Sequence, residues 1–199
     1  MEHVSVSPAN KKLGIMPSVS LPPGLTCRAE TPCISDCYAR KHMYDLQVRP
    51  SIKRAWDRNL RLWEQDPEFF FTDISRYLDY ERVLHFRFHV GGDIPNSNYL
   101  DLMIKLAEKR PLTHFLAFSK RYEWLLVSPR LPQNLRIIVS AWPGLELPPF
   151  ISRRYPVAWL DDGTDERIPA DAHRCIGCCS HCYSCWSFKA GTHIVFRKH

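Results

Sequence analysis

The chain has 199 residues, 45% of them hydrophobic and 12% aromatic, which excludes a disordered polymer and allows one sizeable buried core. Its net charge of +6 is compatible with an anionic partner such as nucleic acid. No run approaches the roughly 20 apolar residues of a membrane span. The first residues, MEHVSVSPANKK, lack the apolar stretch of a secretory signal, so a cytoplasmic protein with reduced thiols is expected.

Residues 1–14 read as a tail or early loop. The segment IMPSVSLPPGL, from Ile15 to Leu25, is extended but broken by Pro17, Pro22 and Pro23, and suits an irregular first strand. It delivers the chain to TCRAETPCISDCYAR, which carries Cys27, Cys33 and Cys37 and then Tyr38. Pro50 fits the first position of a helix in which Ile52, Trp56, Leu60 and Trp63 face the core. Arg54, Arg58 and Arg61 share another face, with Lys53 beside them, either solvated or a basic wall near the cysteine loop or along a phosphate backbone. Asp66 and Pro67 start a second helix, buried through Phe70 or Phe71, Ile74, Tyr77 and Leu78.

Next comes ERVLHFRFHVGGD. Leu84, Phe86, Phe88 and Val90 alternate with His85, Arg87 and His89, as a strand with one apolar and one polar face. A helix capped by Ser97 follows, then strand THFLAFSK ending in Ser119 and Lys120, then the short helix RYEWLLV. LRIIVSAW is a strand with Ser140 at its end, LELPPFISRRY holds a turn of helix, and PVAWLDDG is a further strand. Strands alternating with helices predict an α/β fold with a mainly parallel sheet. A complete (β/α) barrel takes about 250 residues, so a partial (β/α) barrel is expected over residues 1–165. Residues 166–199 form a C-terminal cysteine-rich segment on the same domain, closing with a short strand from His193 to Phe196 and a solvated tail of Arg197, Lys198 and His199.

All eight cysteines fall in two groups: the loop just described, and CIGCCSHCYSC with Cys175, Cys178, Cys179, Cys182 and Cys185. Thiolates are soft ligands that select zinc, copper(I) or iron–sulfur. The second group has two- and three-residue gaps, too cramped for a pair of zinc knuckles and close to the cluster loops of ferredoxins. It can bind a [4Fe–4S] cluster, with a small zinc site as the rival. The first group supplies only three thiols. Either Cys179 completes it, closing two clusters with eight cysteines, or one iron stays open to a small molecule. In a barrel the C-terminal ends of the strands build the site. Arg87, His89 and Lys120 are therefore the candidate catalytic residues, and Ser119 and Ser140 candidate groups for a carboxylate, ribose or phosphate.

A short strand, a three-cysteine loop ending in Cys37-Tyr38, and Gly91-Gly92-Asp93 after the next strand together resemble the radical SAM superfamily. The resemblance implies a [4Fe–4S] cluster on Cys27, Cys33 and Cys37, with Tyr38 beside the cofactor. It also implies that Gly91, Gly92 and Asp93 meet the methionyl end of S-adenosylmethionine. The spacing here is Cys27-x5-Cys33-x3-Cys37, where that superfamily usually has CxxxCxxC. A second likeness covers most of the chain. NKKLG, CYAR, RPSIKRAWDRN, RFHVGGD, FLAFSK, SAW and the terminal cysteine run are similar to the gene product 88 family of phage proteins, which implies a phage or mobile-element source and a host-cytoplasm location.

These features lead to an iron–sulfur protein with two [4Fe–4S] clusters that cleaves S-adenosylmethionine to act on a substrate, fed by an electron-donor protein. The alternatives are a cluster protein independent of S-adenosylmethionine, for electron transfer, redox sensing or nucleic-acid binding, and a zinc-stabilised nucleic-acid module.

Overall fold

The computed structural model describes residues 2–44 and 48–197. Its centre is an eight-stranded sheet in the order β1-β2-β3-β4-β5-β6-β8-β7. The strands are β1 (Val6–Ser7), β2 (Ser18–Val19), β3 (His85–Phe88), β4 (His114–Ser119), β5 (Leu135–Ser140), β6 (Val157–Asp161), β7 (His173–Arg174) and β8 (His193–Arg197). Every pairing is parallel except that of β1 with β2.

Parallel neighbours cannot be joined by a tight turn, so each needs a crossover. The cysteine loop with α1 (Pro50–Gln65) and α2 (Pro67–Tyr80) joins β2 to β3, α3 (Ser97–Lys109) joins β3 to β4, and α4 (Tyr122–Val127) joins β4 to β5. From β2 to β6 the strands follow chain order with no reversal. Right-handed crossovers in that order fall on one face of the sheet. Phe86, Phe88, Phe115, Ala117, Leu135, Ile137 and Val139 are buried there in one core with Trp63, Phe70, Phe71, Ile74, Tyr99 and Met103 of the helices.

The opposite face carries the alternate residues Leu116, Ile138, Ala158 and Ile194, and the C-terminal segment covers it. Trp186 of α5 (Ser184–Ser187), Phe188, Cys175, Cys179 and Cys185 pack on that second core, together with Leu13 and Met16. One sheet thus has a helix face and a cysteine face. The outermost strands β1 and β7 are not paired with each other among the described residues, so the sheet is open.

Several local expectations change. Residues 2–7 are not a free tail, and Val6–Ser7 form the edge strand β1. Asp73 accepts the Val4 amide at 2.8 Å, and the buried Asn59 amide exchanges hydrogen bonds with Ser5 at 2.7 and 3.0 Å. Part of the basic face of α1 is spent on this segment, where Arg58 and Arg61 pair with Glu2. The cap of α3 is Asn96, whose side chain accepts the Tyr99 amide at 2.9 Å, one residue before Ser97. Asp66 caps α2 by accepting the Phe69 amide at 2.9 Å. Arg197 belongs to β8, whereas Lys198 and His199 lie outside the described residues.

After β3 the chain makes a close approach to the segment that follows β2. Gly92 has φ +79°, and a Cβ there would stand 2.6 Å from the Leu21 carbonyl oxygen and 2.7 Å from Thr26 Oγ1. Gly163 has a similar φ of +82° but open space around it. Gly163→Ala is expected to cost about 1 kcal/mol from left-handed backbone strain alone. Gly92→Ala, with an added backbone clash, is expected to cost about 2–4 kcal/mol. Denaturant unfolding of the two variants checks the difference.

Candidate metal centres

The first centre is built at the C-terminal edge of the parallel strands. Cys27, Cys33 and Cys37 lie on the loop leaving β2, around a short 3₁₀ turn at Pro32–Ile34. The loop is fixed from behind. Ser20 Oγ accepts the Val90 and Gly91 amides at 3.0 and 3.3 Å, and Thr26 Oγ1 accepts the Asp93 amide at 3.1 Å. Arg121 donates to the Thr26 carbonyl at 3.1 Å, and the Tyr38 hydroxyl donates to the Val90 carbonyl at 3.0 Å.

Asp93 is buried, and its carboxylate accepts from Ser119 Oγ at 2.6 Å, the Lys120 amide at 2.8 Å and the Ile94 amide at 2.7 Å. Burial raises its pKa against those three donors. The Lys120 ammonium lies 5.3 Å from the centre of the Trp142 ring. Tyr122 at the start of α4 donates to the Ser140 carbonyl at 2.7 Å, which anchors the helix under the loop.

The three thiols of this loop are half-buried and close enough to act on one another electrostatically. Burial, then the Asp93 charge, pushes the Cys27 thiol up to about 12. Burial also raises Cys33, while Lys120 pulls it down. A thiol so desolvated is inert unless a cation takes the place of its proton.

The second centre sits on the cysteine face of the sheet. Burial pushes Cys185 up to about 12, and the charges of Cys179, Cys175 and Cys182 add to it. These four sulfurs therefore share one neighbourhood, with the spacing Cys175-x3-Cys179-x2-Cys182-x2-Cys185. The Gly177 amide donates to Cys175 Sγ at 3.4 Å, and Ser184 Oγ lies 3.2 Å from Cys182 Sγ. Cys178 is held differently: its sulfur lies 3.0 Å from Ser180 Oγ and 3.2 Å from His181 Nδ1, and the Ser180 contact lowers its pKa. Cys179 stands with the C-terminal group, its amide bound to the Lys12 carbonyl at 2.8 Å.

Among the described residues, no three His, Cys, Asp or Glu side chains could hold a single metal ion. A polynuclear cluster makes a different demand, because iron and sulfide stand between its thiolates and keep them farther apart than the ligands of one zinc.

The remaining site candidates divide. Ser119 and Lys120 join the first centre through Asp93, while Ser140 offers it a carbonyl already taken by Tyr122. Arg87 projects onto the cysteine face, 4.9 Å from the Phe118 ring, and its buried Nε has no hydrogen-bond partner. It acts electrostatically on Tyr38 at one centre and on Cys179 and Cys185 at the other. His89 leaves the polar face that strand alternation assigns to it. The strand ends at Phe88, His89 takes φ +59°, and its Nε2 meets the Tyr99 hydroxyl of α3 at 3.1 Å. Thr26, Tyr122 and Lys12 were not legible as site residues, since each comes from an ordinary loop or helix-start context.

The gene product 88 family matches residues 4–167, more than four-fifths of the chain. The chain belongs to the gene product 88 family. The matched span takes in the first cysteine group and the strands through β6. It ends before the terminal cysteine run. No curated protein and no solved structure matches the chain, and no helix among the described residues is long and apolar enough to cross a membrane.

Burial depresses His89 to about 3. An unfolded histidine takes its proton near pH 6.5, so below about pH 6.5 the unfolded chain binds one more proton than the folded one. Stability is then lost by up to about 1.4 kcal/mol per pH unit as pH falls toward the folded value. His89→Asn, which keeps a residue tolerant of the left-handed backbone, is expected to flatten the loss between pH 7 and pH 5 in denaturant titrations.

Proposed function

We propose that this member of the gene product 88 family is an iron–sulfur protein with two [4Fe–4S] centres, one of them open to a small molecule. Cys27, Cys33 and Cys37 would hold the open centre. Cys175, Cys179, Cys182 and Cys185 would hold the closed one. A single observation carries this reading: Cys179 lies with the C-terminal thiols, which gives the second group four sulfurs and leaves the first with three. The donor chemistry fits iron–sulfur, since both groups offer soft, desolvated thiols and the second already has N–H and O–H donors at its sulfurs.

The open centre is proposed to take S-adenosylmethionine, within a half-barrel of radical-SAM-like build. In support, the strands run in chain order without reversal, and the three-thiol loop and Gly91-Gly92-Asp93 share one sheet edge. When bound, a reduced cluster with one iron free of protein ligands supplies a single electron to the molecule at that iron. The chain's own residues would position it: Tyr38 and Lys120 flank the thiols, and Asp93 and Thr26 keep the loop in place.

One observation favours a second reading, an iron–sulfur protein that works without S-adenosylmethionine. The Asp93 carboxylate is engaged by three donors from the chain itself. The cleaved cofactor separates the two. Protein purified and reconstituted without oxygen is expected to release 5′-deoxyadenosine from S-adenosylmethionine under dithionite, and Cys33→Ala to abolish it. Iron content without any 5′-deoxyadenosine selects the second reading. Cys27→Ala and Cys182→Ala are each expected to lose about four irons per chain, whereas Cys178→Ala keeps the full complement.

A further inference from the structure

We propose that Arg87 and Lys12 are the counter-charges of the second cysteine site and make it the more readily reduced of the two centres. This rests on the iron–sulfur reading of both sites. The geometry comes from two elements far apart in the chain. Arg87 reaches from β3 onto the cysteine face and lies over Phe118, which packs in the same core as Cys175, Cys179 and Cys185. Phe118 meets Phe196 edge-on at 5.8 Å, and the Lys12 ammonium lies 5.1 Å from the Phe196 ring. Two cations therefore flank one aromatic pair beneath the cysteine loop.

Lys12 is held there by a built turn. Asn10 and Gly14 exchange backbone hydrogen bonds at 3.1 and 2.8 Å, and Asn10 Oδ1 accepts the Lys12 and Leu13 amides at 3.0 and 2.8 Å. The turn then clasps the cysteine loop. The Lys12 carbonyl accepts the Cys179 amide, and a Cβ on Gly14 would stand 2.6 Å from Ser180 Cβ. None of the ion pairs among the described residues includes Arg87 or Lys12. An unpaired guanidinium with a buried Nε is costly unless a negative partner is present. A cluster held by four thiolates carries net negative charge and supplies one.

The first centre is different. It adjoins the buried Asp93, whose amide donates to Thr26 beside Cys27, while at Cys33 the Lys120 charge outweighs the Asp93 charge. Reduction adds one negative charge to a cluster, so a nearby cation eases it and a nearby carboxylate opposes it, most strongly where water is excluded. The second centre is then the electron store, and Arg87 acts electrostatically on both groups.

The test is an EPR-monitored redox titration of the full chain reconstituted without oxygen, with dithionite giving one electron per cluster. Iron and sulfide per chain are measured first, and their absence overturns the iron–sulfur reading itself. With both centres loaded, Cys182→Ala is expected to remove the higher-potential signal. Lys12→Gln is expected to shift that signal to lower potential at unchanged iron content, leaving the other signal in place, and Arg87→Gln is expected to shift it in the same direction. Arg87→Lys is expected to restore most of the shift. Lys12→Gln keeps the backbone bond to Cys179, so it carries the test even where an Arg87 variant fails to load. The inference is overturned if Cys182→Ala removes the lower-potential signal, or if neither charge substitution moves the higher one.

Discussion

A buried carboxylate holds three separated pieces of this chain together. Asp93 sits on the turn after β3, takes the hydroxyl and amide at the end of β4, and gives its own amide to Thr26 at the root of the cysteine loop. Hydrogen bonds to a charged group are worth about 1.5–3 kcal/mol each, and they offset part of the cost of burying one carboxylate. The two glycines before it let the turn close. Gly91 lies where a Cβ would enter the Trp56 ring, and Gly92 lies against the Leu21 carbonyl. The position of the three N-terminal thiols follows from this tie, because little regular structure exists within the loop itself.

The sheet separates the two cysteine groups in space. One group occupies the edge where all the parallel strands end, the usual position of a site in an α/β fold. The other is laid across the face that the crossover helices leave uncovered, and so replaces a helix layer with a short aromatic and thiol-rich cover. That cover is fastened by both ends of the chain, through Lys12 to Cys179 and through the β6–β8 pairing. Small covers of this kind gain stability from a bound metal group where apolar area is short.

Much of this architecture was readable in the residues. The alternation of Phe86 and Phe88 with Arg87 located a strand between a helix layer and a polar face, and Asp66-Pro67 marked a helix start, because these signals are local. What depended on distant contacts was hidden. The first residues looked like a tail, since nothing local foretells that Asp73 and Asn59 will bind them into an edge. His89 broke the alternation because the strand ended one residue earlier and the left-handed backbone turned its ring to Tyr99. Cys178 and Cys179 are adjacent and chemically identical in the sequence, and only packing against Leu13, Met16 and Trp186 distinguishes the inward thiol from the outward one.

The division of eight thiols into three, four and one is the core of the account. Anomalous diffraction at the iron edge, from crystals grown without oxygen, tests it most directly. Two iron peaks are predicted, one within bonding reach of Cys27, Cys33 and Cys37 alone among the thiols, the other among Cys175, Cys179, Cys182 and Cys185. Disulfides between these cysteines, a single zinc, or a peak that draws Cys179 to the N-terminal loop would contradict it.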